Sequence, residues 1–233
     1  MTRIRVKGVR RRGLGLFRRS EIHILKRLIL SSIAIIILAL LMRNWYGNQE
    51  LFLAPNESSK LPPLAMKGGD PYLRALMRTI SASESNVAQP YSVIYGGDRV
   101  SNLSHHPNLC VKIVSGPNKG RCTTAAGRYQ FLSSTWEEKA KRYHPHPSQF
   151  IFWKGYSFEP EFQDAVVYAW LSDRKFWKAD ISKLLQQGKF NQVQRLLSGT
   201  WTSLGYGIED NSMTGELPKI YQEMLQEELR KAR

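Results

Sequence analysis

The chain has 233 residues and is strongly basic, with 34 Lys and Arg against 19 Asp and Glu and a formal net charge of +15. A hydrophobic content of 42% excludes a fully disordered chain, and 17 Gly with 11 Pro exclude a fibrous or low-complexity one. Two Cys exclude a disulfide-dense miniprotein and a four-cysteine zinc site. The length fits one or two domains.

The basic charge is concentrated at the N-terminus. Residues 1–27 hold ten Lys and Arg against Glu21, a net charge of +9, and an uncharged apolar run follows at 28–42. Fifteen helical residues rise only about 22 Å, but a helix over 22–45 with snorkelling cations reaches about 36 Å, enough for a bilayer core of about 30 Å. The sequence therefore predicts a basic cytoplasmic segment and a transmembrane signal anchor at 28–45.

Three other interpretations of this region stay open. A buried core helix is a poor match, because the run is apolar all round and lies between cations and a polar stretch. A cleavable signal peptide fits the charge and length, but no A-x-A-like site follows. Nucleic-acid binding is the third alternative for the basic segment at 1–27. Membrane topology and binding to anionic lipid explain its position beside the apolar run more simply. We expect a single-pass inner-membrane protein with a cytoplasmic N-terminus, a periplasmic remainder and no nucleic-acid partner.

The rest of the chain predicts a linker and one domain. Residues 46–70 are rich in Pro, Gly, Asn and Ser without sustained periodicity, which is typical of a linker, and 71–233 suffice for one compact domain. Asp70 followed by Pro71 predicts the start of a helix. Apolar residues at helical spacing then form one stripe: Leu73, Leu76, Met77 and Ile80.

A small antiparallel β subdomain is predicted next. Residues 89–104 read as strand, turn and strand around Gly96 and Gly97, and residues 110–122 enclose a second apolar run with turn chemistry. Helical signals return afterwards, with a capping box of Ser134 and Glu137 at the first of them. The predicted later helices cover 135–143, 160–171, 181–187, 190–197 and 217–229. The pattern indicates an α+β fold in which helices dominate.

The two cysteines predict a disulfide. Cys110 and Cys122 lie in a domain predicted to be exported, where paired thiols are the rule. A bridge over this spacing contributes about 2–3 kcal/mol on the chain-entropy model. Reactive thiol chemistry is the alternative, but neither residue lies in a recognisable nucleophile motif.

Glu84 is the candidate catalytic residue. It follows Ile80 by four residues and Met77 by seven, so a persisting helix projects its carboxyl from the apolar side. Poor hydration raises the pKa of such a carboxyl, which a general acid near neutral pH requires. The spacing alone leaves a solvated glutamate at a helix end as an open alternative.

Several sequence blocks extend this hypothesis. In chain order they are ES (84–85), PYSVIYGG (90–97), SHHP (104–107), TAAGRYQFL (124–132), FQDAV (162–166) and WTSLGYG (201–207). The blocks and their order resemble the phage lambda endolysin family of peptidoglycan lytic transglycosylases over roughly residues 73–228. The resemblance implies a lysozyme-like fold, with the glutamate at a helix end above a small sheet.

The resemblance also implies site residues and a substrate. Glu84 becomes the catalytic acid and base, and the partner is the glycan strand of peptidoglycan. Arg128 is open between a contact to a carboxylate of the stem peptide and a role in bracing the sheet. The predicted substrate-binding residues are Ser85, Ser101, Tyr129, Gln130 and Tyr206, of which Ser85 is equally suited to capping the helix.

One carboxylate is enough for the implied chemistry. Hydrolytic glycosidases generally need two, and the next acidic residue, Asp98, lies beside a Gly-Gly turn where Asp is expected for structural reasons. A single glutamate suffices if the C6 hydroxyl of the substrate closes a 1,6-anhydro ring on muramic acid. A hydrolytic muramidase and a non-catalytic wall-binding scaffold remain the alternatives.

Two other features stay outside this scheme. The histidines 105, 106, 144 and 146 have no carboxylate or cysteine at ligand spacing, so we predict neither a metal nor a cofactor. The aromatic segment 150–158 departs from the family pattern, and it is either a glycan- or membrane-facing surface or a local core.

Overall fold

The computed structural model describes residues 61–116, 118–146, 155–206 and 213–232. The predicted anchor at 28–45 lies outside the described residues, as do most of the predicted linker and the first five positions of the aromatic segment 150–158. Within the described ranges, the helices are all too short or too polar to cross a membrane.

Helix α1 (Pro71–Glu84) is the centre of the fold. The Asp70 carboxylate accepts a hydrogen bond from the Tyr72 amide at 2.8 Å, and Pro71 occupies the first turn, as predicted. The predicted apolar stripe is buried, and because neighbouring elements cover α1 on several sides, burial extends to polar residues as well. The buried residues are Leu73, Ala75, Leu76, Met77, Arg78, Thr79, Ile80, Ser81 and Ala82.

The C-terminal helix lies along α1 and is joined to it by buried ion pairs. This helix, α7 (Leu217–Lys231), places Glu228 2.6 Å from Arg74 and 3.0 Å from Arg78. Burial would raise the pKa of Glu228, but the hydrogen bond and charge of Arg74, with the other nearby cations, hold it below its ordinary value.

The remaining helices surround this pair. They are α2 (Ser133–Tyr143), α3 (Pro160–Ser172), α4 (Arg174–Trp177), α5 (Ile181–Gln186) and α6 (Phe190–Leu197). The sequence did not predict α4, which Asp173 caps by accepting from two backbone amides at 3.0 Å. The predicted capping box is wrong: α2 begins at Ser133, and its N-cap, Leu132, has no side-chain acceptor.

The β subdomain is smaller than predicted. Strands β1 (Val111–Lys112) and β2 (Cys122–Thr123) pair antiparallel, and Cys110 and Cys122 form the predicted disulfide with Cα atoms 5.4 Å apart. The predicted strand pair at 89–104 is wrong. A 3₁₀ turn, Pro90–Ser92, replaces the start of its first strand, because proline has no amide hydrogen for a ladder, and two isolated antiparallel bridges follow, Val93 with Arg99 and Ile94 with Ala126.

The aromatic segment contributes to the core where it is described. Phe158 is fully buried, with its ring 4.7 Å from those of Trp136 and His106. Tyr156 is partly buried against the same core. For these two residues, the local-core interpretation is therefore correct.

The predicted linker, 46–70, extends too far toward the C-terminus. Leu61 and Leu64 are buried in the core, and the Leu61 carbonyl accepts from Arg78 at 3.0 Å. Residues 61–66, which we call the strap, therefore belong to the folded domain and not to a tether. The Pro-rich composition of this stretch predicted a linker. In the folded domain, buried side chains bind the backbone carbonyls of the strap prolines.

Candidate active site

Glu84 is the last residue of α1. The helix before it is almost entirely buried, whereas Glu84 itself is partly exposed. The chain leaves the helix at Ser85, whose amide still donates to the Ser81 carbonyl at 2.8 Å. A carboxyl group is thus presented at the edge of the core by a rigid element.

A serine from a distant part of the chain holds this carboxyl. Ser203, in the 3₁₀ turn Thr202–Leu204, is buried and its hydroxyl donates to the Glu84 carboxylate, with the Ser83 hydroxyl 3.0 Å away. Sequence reasoning missed Ser203 as a site residue, although it lies within the WTSLGYG block. Pattern alone did not distinguish it, because serine is common in turns.

The loop that carries Ser203 is fixed from three sides. The Gln194 side chain on α6 donates to the Leu204 carbonyl at 2.6 Å, and the Trp201 indole donates to the Tyr129 carbonyl at 3.2 Å. Gly205 has a φ of +88°, and a Cβ there would overlap the methyl group of Thr214. The Ser203 hydroxyl is therefore held against Glu84 by packing.

Ser85 faces away from any open surface. Its hydroxyl is buried and donates to the Arg128 carbonyl at 2.7 Å. In this structure Ser85 connects the end of α1 to the AGRYQ block (126–130), and its contact with substrate stays a prediction.

Tyr129 and Gln130 also act within the protein. Tyr129 is 1% exposed and donates to the Asp164 carboxylate at 2.6 Å, so it offers no ring face to a sugar. Burial and the charge of Asp164 hold the Tyr129 pKa well above its ordinary value. The Gln130 amide donates to the Gly127 carbonyl at 2.9 Å, within its own turn. Tyr129 therefore contacts protein groups in this structure, and its contact with a sugar stays a prediction.

Asp164 is the acceptor at the centre of this buried region. Besides Tyr129, its carboxylate accepts from the Tyr91 hydroxyl and the Ala65 amide, both at 2.7 Å, and from the Met66 amide at 3.1 Å. Burial raises its pKa, while the charge of Arg128 and these donors oppose the shift. The acidic residue thus binds the strap to the domain.

Arg128 completes the attachment of the strap. Its side chain is fully buried and donates to the carbonyls of Pro62 at 2.7 Å and Pro63 at 2.8 Å, and to the Tyr91 hydroxyl at 2.9 Å. Arg128 thus braces the strap, whereas the sequence suggested that it braces the sheet.

Three other predicted or considered residues lie on the surface. Tyr206, at the end of the Ser203 loop, is 57% exposed, with the Arg195 guanidinium 4.7 Å from its ring centre. Ser101 is exposed in a segment that is not a strand. Asp98 is exposed in the Gly96-Gly97 turn, where its carbonyl accepts from Ile94 at 2.8 Å.

The histidines have structural contacts. His106 is buried with a ring nitrogen 2.8 Å from the Phe131 carbonyl, and a ring nitrogen of His144 lies 3.1 Å from the Ser157 carbonyl. Burial lowers the pKa of both rings. In the parts of the chain that the structure describes, no three His, Cys, Asp or Glu side chains are grouped to hold a metal ion.

Comparisons with known proteins agree with this geometry. The family model described as Endolysin matches residues 74–227. The endolysin of Escherichia phage lambda is 31% identical over 120 residues, which is 50% of this chain and 64% of the relative, just under two thirds of its length. A solved structure of bacteriophage lambda lysozyme complexed with a chitohexasaccharide has a TM-score of 0.50 and 27% identity, and the match covers 68% of this chain and 97% of that one.

Proposed function

The chain belongs to the Endolysin family, and on this premise we propose that it is a membrane-anchored lytic transglycosylase of peptidoglycan. One observation carries the proposal. Glu84 is a partly exposed carboxyl at the end of a buried helix, held by Ser203 from a facing turn, and both residues lie inside the family match.

The proposed reaction uses Glu84 twice. As an acid, it protonates the oxygen that links N-acetylmuramic acid to N-acetylglucosamine, and the bond to the leaving sugar breaks. As a base, it removes the proton of the C6 hydroxyl, whose oxygen bonds to C1. The product ends in 1,6-anhydromuramic acid, the glutamate regains its proton, and neither water nor a cofactor is consumed.

The surroundings of Asp98 support a mechanism with one carboxylate. Hydrolysis by the usual route needs a second carboxylate on the opposite face of the sugar. Asp98 is the next acidic residue after Glu84, and it is exposed in a glycine turn that explains its presence. We therefore favour ring closure by the substrate over attack by water.

Substrate contacts are assigned to the exposed residues of the predicted set. The relative of known structure is in complex with a chitohexasaccharide, which supports a glycan ligand for this chain. Tyr206 and Ser101 have accessible side chains for such contacts. Ser85, Tyr129 and Gln130 act behind them by fixing the end of α1 and the AGRYQ block.

The membrane anchor at 28–45 remains part of the proposal. The apolar run and its basic flank support a cytoplasmic N-terminus, and the Cys110–Cys122 disulfide supports an extracytoplasmic domain. A reporter fused to the C-terminus tests the topology. Activity of a reporter that functions only outside the cytoplasm is expected, and activity of one that functions only in the cytoplasm would contradict it.

The products of digestion test the chemistry. Full-length protein in detergent is incubated with purified sacculi, and the released muropeptides are weighed by mass spectrometry. Anhydro ends, lighter than reducing ends by one water, are the expected result. Reducing ends alone would identify a hydrolytic muramidase, and saturable binding without release would identify a non-catalytic scaffold.

A further inference from the structure

We infer that Arg195 is a specificity-determining residue that binds a carboxylate carried by the glycan substrate. This inference rests on the proposed function, and it concerns which glycans the site prefers. The stem peptide, which is joined to the lactyl group of muramic acid through an amide, supplies the free carboxylates of the proposed substrate, whereas a chitin-type glycan has none.

Arg195 and Tyr206 form an exposed pair. The guanidinium lies 4.7 Å from the centre of the Tyr206 ring, and the ring is 57% exposed. Tyr206 has a φ of +62°, a conformation that few residues other than glycine adopt and that is enriched at functional sites. Stacking leaves the edge of a guanidinium, which carries its N–H donors, available to a ligand.

The pair is connected to the candidate catalytic group. Tyr206 follows Ser203 by three residues, so three peptide units limit their separation to about 11 Å. The neighbouring residue on α6, Gln194, donates to the Leu204 carbonyl within the same loop. Arg195 is thus held beside the loop whose Ser203 contacts Glu84.

The local charge favours an anionic ligand. The sequence has no Asp or Glu between Asp180 and Glu209, and Arg195 lies in that interval. Among the described residues, no carboxylate is within ion-pair distance of Arg195. A planar guanidinium binds a carboxylate through two parallel hydrogen bonds, which a neutral sugar does not offer.

The test compares two forms of one substrate. Sacculi are used either native or after carbodiimide coupling to glycinamide, which converts carboxylates into neutral amides. We expect kcat/KM of the full-length protein to be about tenfold higher on native sacculi than on amidated sacculi, and the difference to lie in KM. The reason is that amidation removes the carboxylate that pairs with the Arg195 guanidinium. Arg195→Gln should remove the preference, and Arg195→Lys should retain part of it.

A second cation on α6 provides the matched control. Lys189→Gln removes the same charge from an exposed N-cap position and should keep the full preference. Co-sedimentation with both forms of sacculi gives the same comparison without turnover. The inference would be overturned if Arg195→Gln lowered kcat/KM equally on native and amidated sacculi. It would also be overturned if the preference for native sacculi were unchanged in Arg195→Gln. Absence of turnover on both forms by the wild type, with the binding preference intact, would instead count against the proposed function.

Discussion

Two carboxylates of the domain, Asp164 and Glu84, have opposite surroundings. Asp164 is fully buried and accepts from two tyrosine hydroxyls and two backbone amides. Glu84 is partly exposed at a helix end, with a serine hydroxyl donating to it. A fully buried carboxylate with four donors has a structural role, whereas a partly exposed carboxylate at a helix end is accessible to a ligand.

The same contrast distinguishes the motif by which the family is recognised from the candidate catalytic residue. The AGRYQ block (126–130) is the most distinctive part of the sequence, yet its Arg128 and Tyr129 bind the strap and Asp164. Its contact with the candidate site is indirect, through the Arg128 carbonyl and Ser85. The most recognisable motif of the chain thus supports the candidate site indirectly, through its contact with Ser85.

The largest expected effect concerns Glu84. Glu84→Gln keeps an acceptor for Ser203 but loses the transferable proton, so turnover of sacculi should fall by about 10³-fold or more. The midpoint of denaturant unfolding should not change. Asp98→Asn, the same chemical change at an exposed turn, should stay within about twofold of wild type. An active Glu84→Gln protein would contradict the assignment of the acid.

The buried carboxylate should respond in the opposite way. Asp164→Asn turns an amide NH₂ toward groups that are themselves donors, so the free energy of unfolding should fall by about 3 kcal/mol. Urea denaturation monitored by tryptophan fluorescence measures this loss. An Asp164→Asn protein as stable as wild type would show that the strap network is dispensable.

A third carboxylate, that of Glu228, adds a pH dependence of stability to this comparison. Arg74 and its neighbours hold the Glu228 pKa below its ordinary value, so the stability it contributes is present above pH 4.5 and is lost as pH falls further. Glu228→Gln should therefore cost about 2 kcal/mol at pH 7, and the difference from wild type should narrow in acid. Unfolding free energies measured from pH 7 to pH 3 test this, and a constant difference would contradict it.

The smallest effect is expected at Ser203. Ser203→Ala removes the hydroxyl that holds Glu84 and should lower kcat by about tenfold, because one positioning hydrogen bond is lost. Ser203→Thr should restore part of the rate if the methyl group is accommodated. Unchanged kinetics in Ser203→Ala would show that packing alone orients the glutamate.

Much of the fold was predictable because its signals are local. The Asp70-Pro71 start of α1, the helices at 160–171 and 190–197, and the 110–122 clamp all depend on neighbouring residues, and all are confirmed. The predicted strands at 89–104 failed because β-branched and aromatic residues there pack against the core without forming a ladder.

The site was predictable only in part. Glu84 could be found from its place on a helical face and from the resemblance, but Ser203 lies 119 residues further along the chain and contacts it only after folding. Tyr129 was assigned to the substrate because an aromatic ring in a motif suggests a sugar contact. Its burial against Asp164 depends on α3, which its own segment does not specify.

The sequence by itself determined where α1 begins, which cysteines pair and which family the chain resembles, since each depends on short spacings or on the order of blocks. Only the tertiary structure decided which polar residues face solvent and which bind one another. Hydrogen bonds such as Tyr129 to Asp164 and Arg128 to the strap join residues 35 to 66 positions apart. Their partners are selected by packing, and no local pattern encodes that choice.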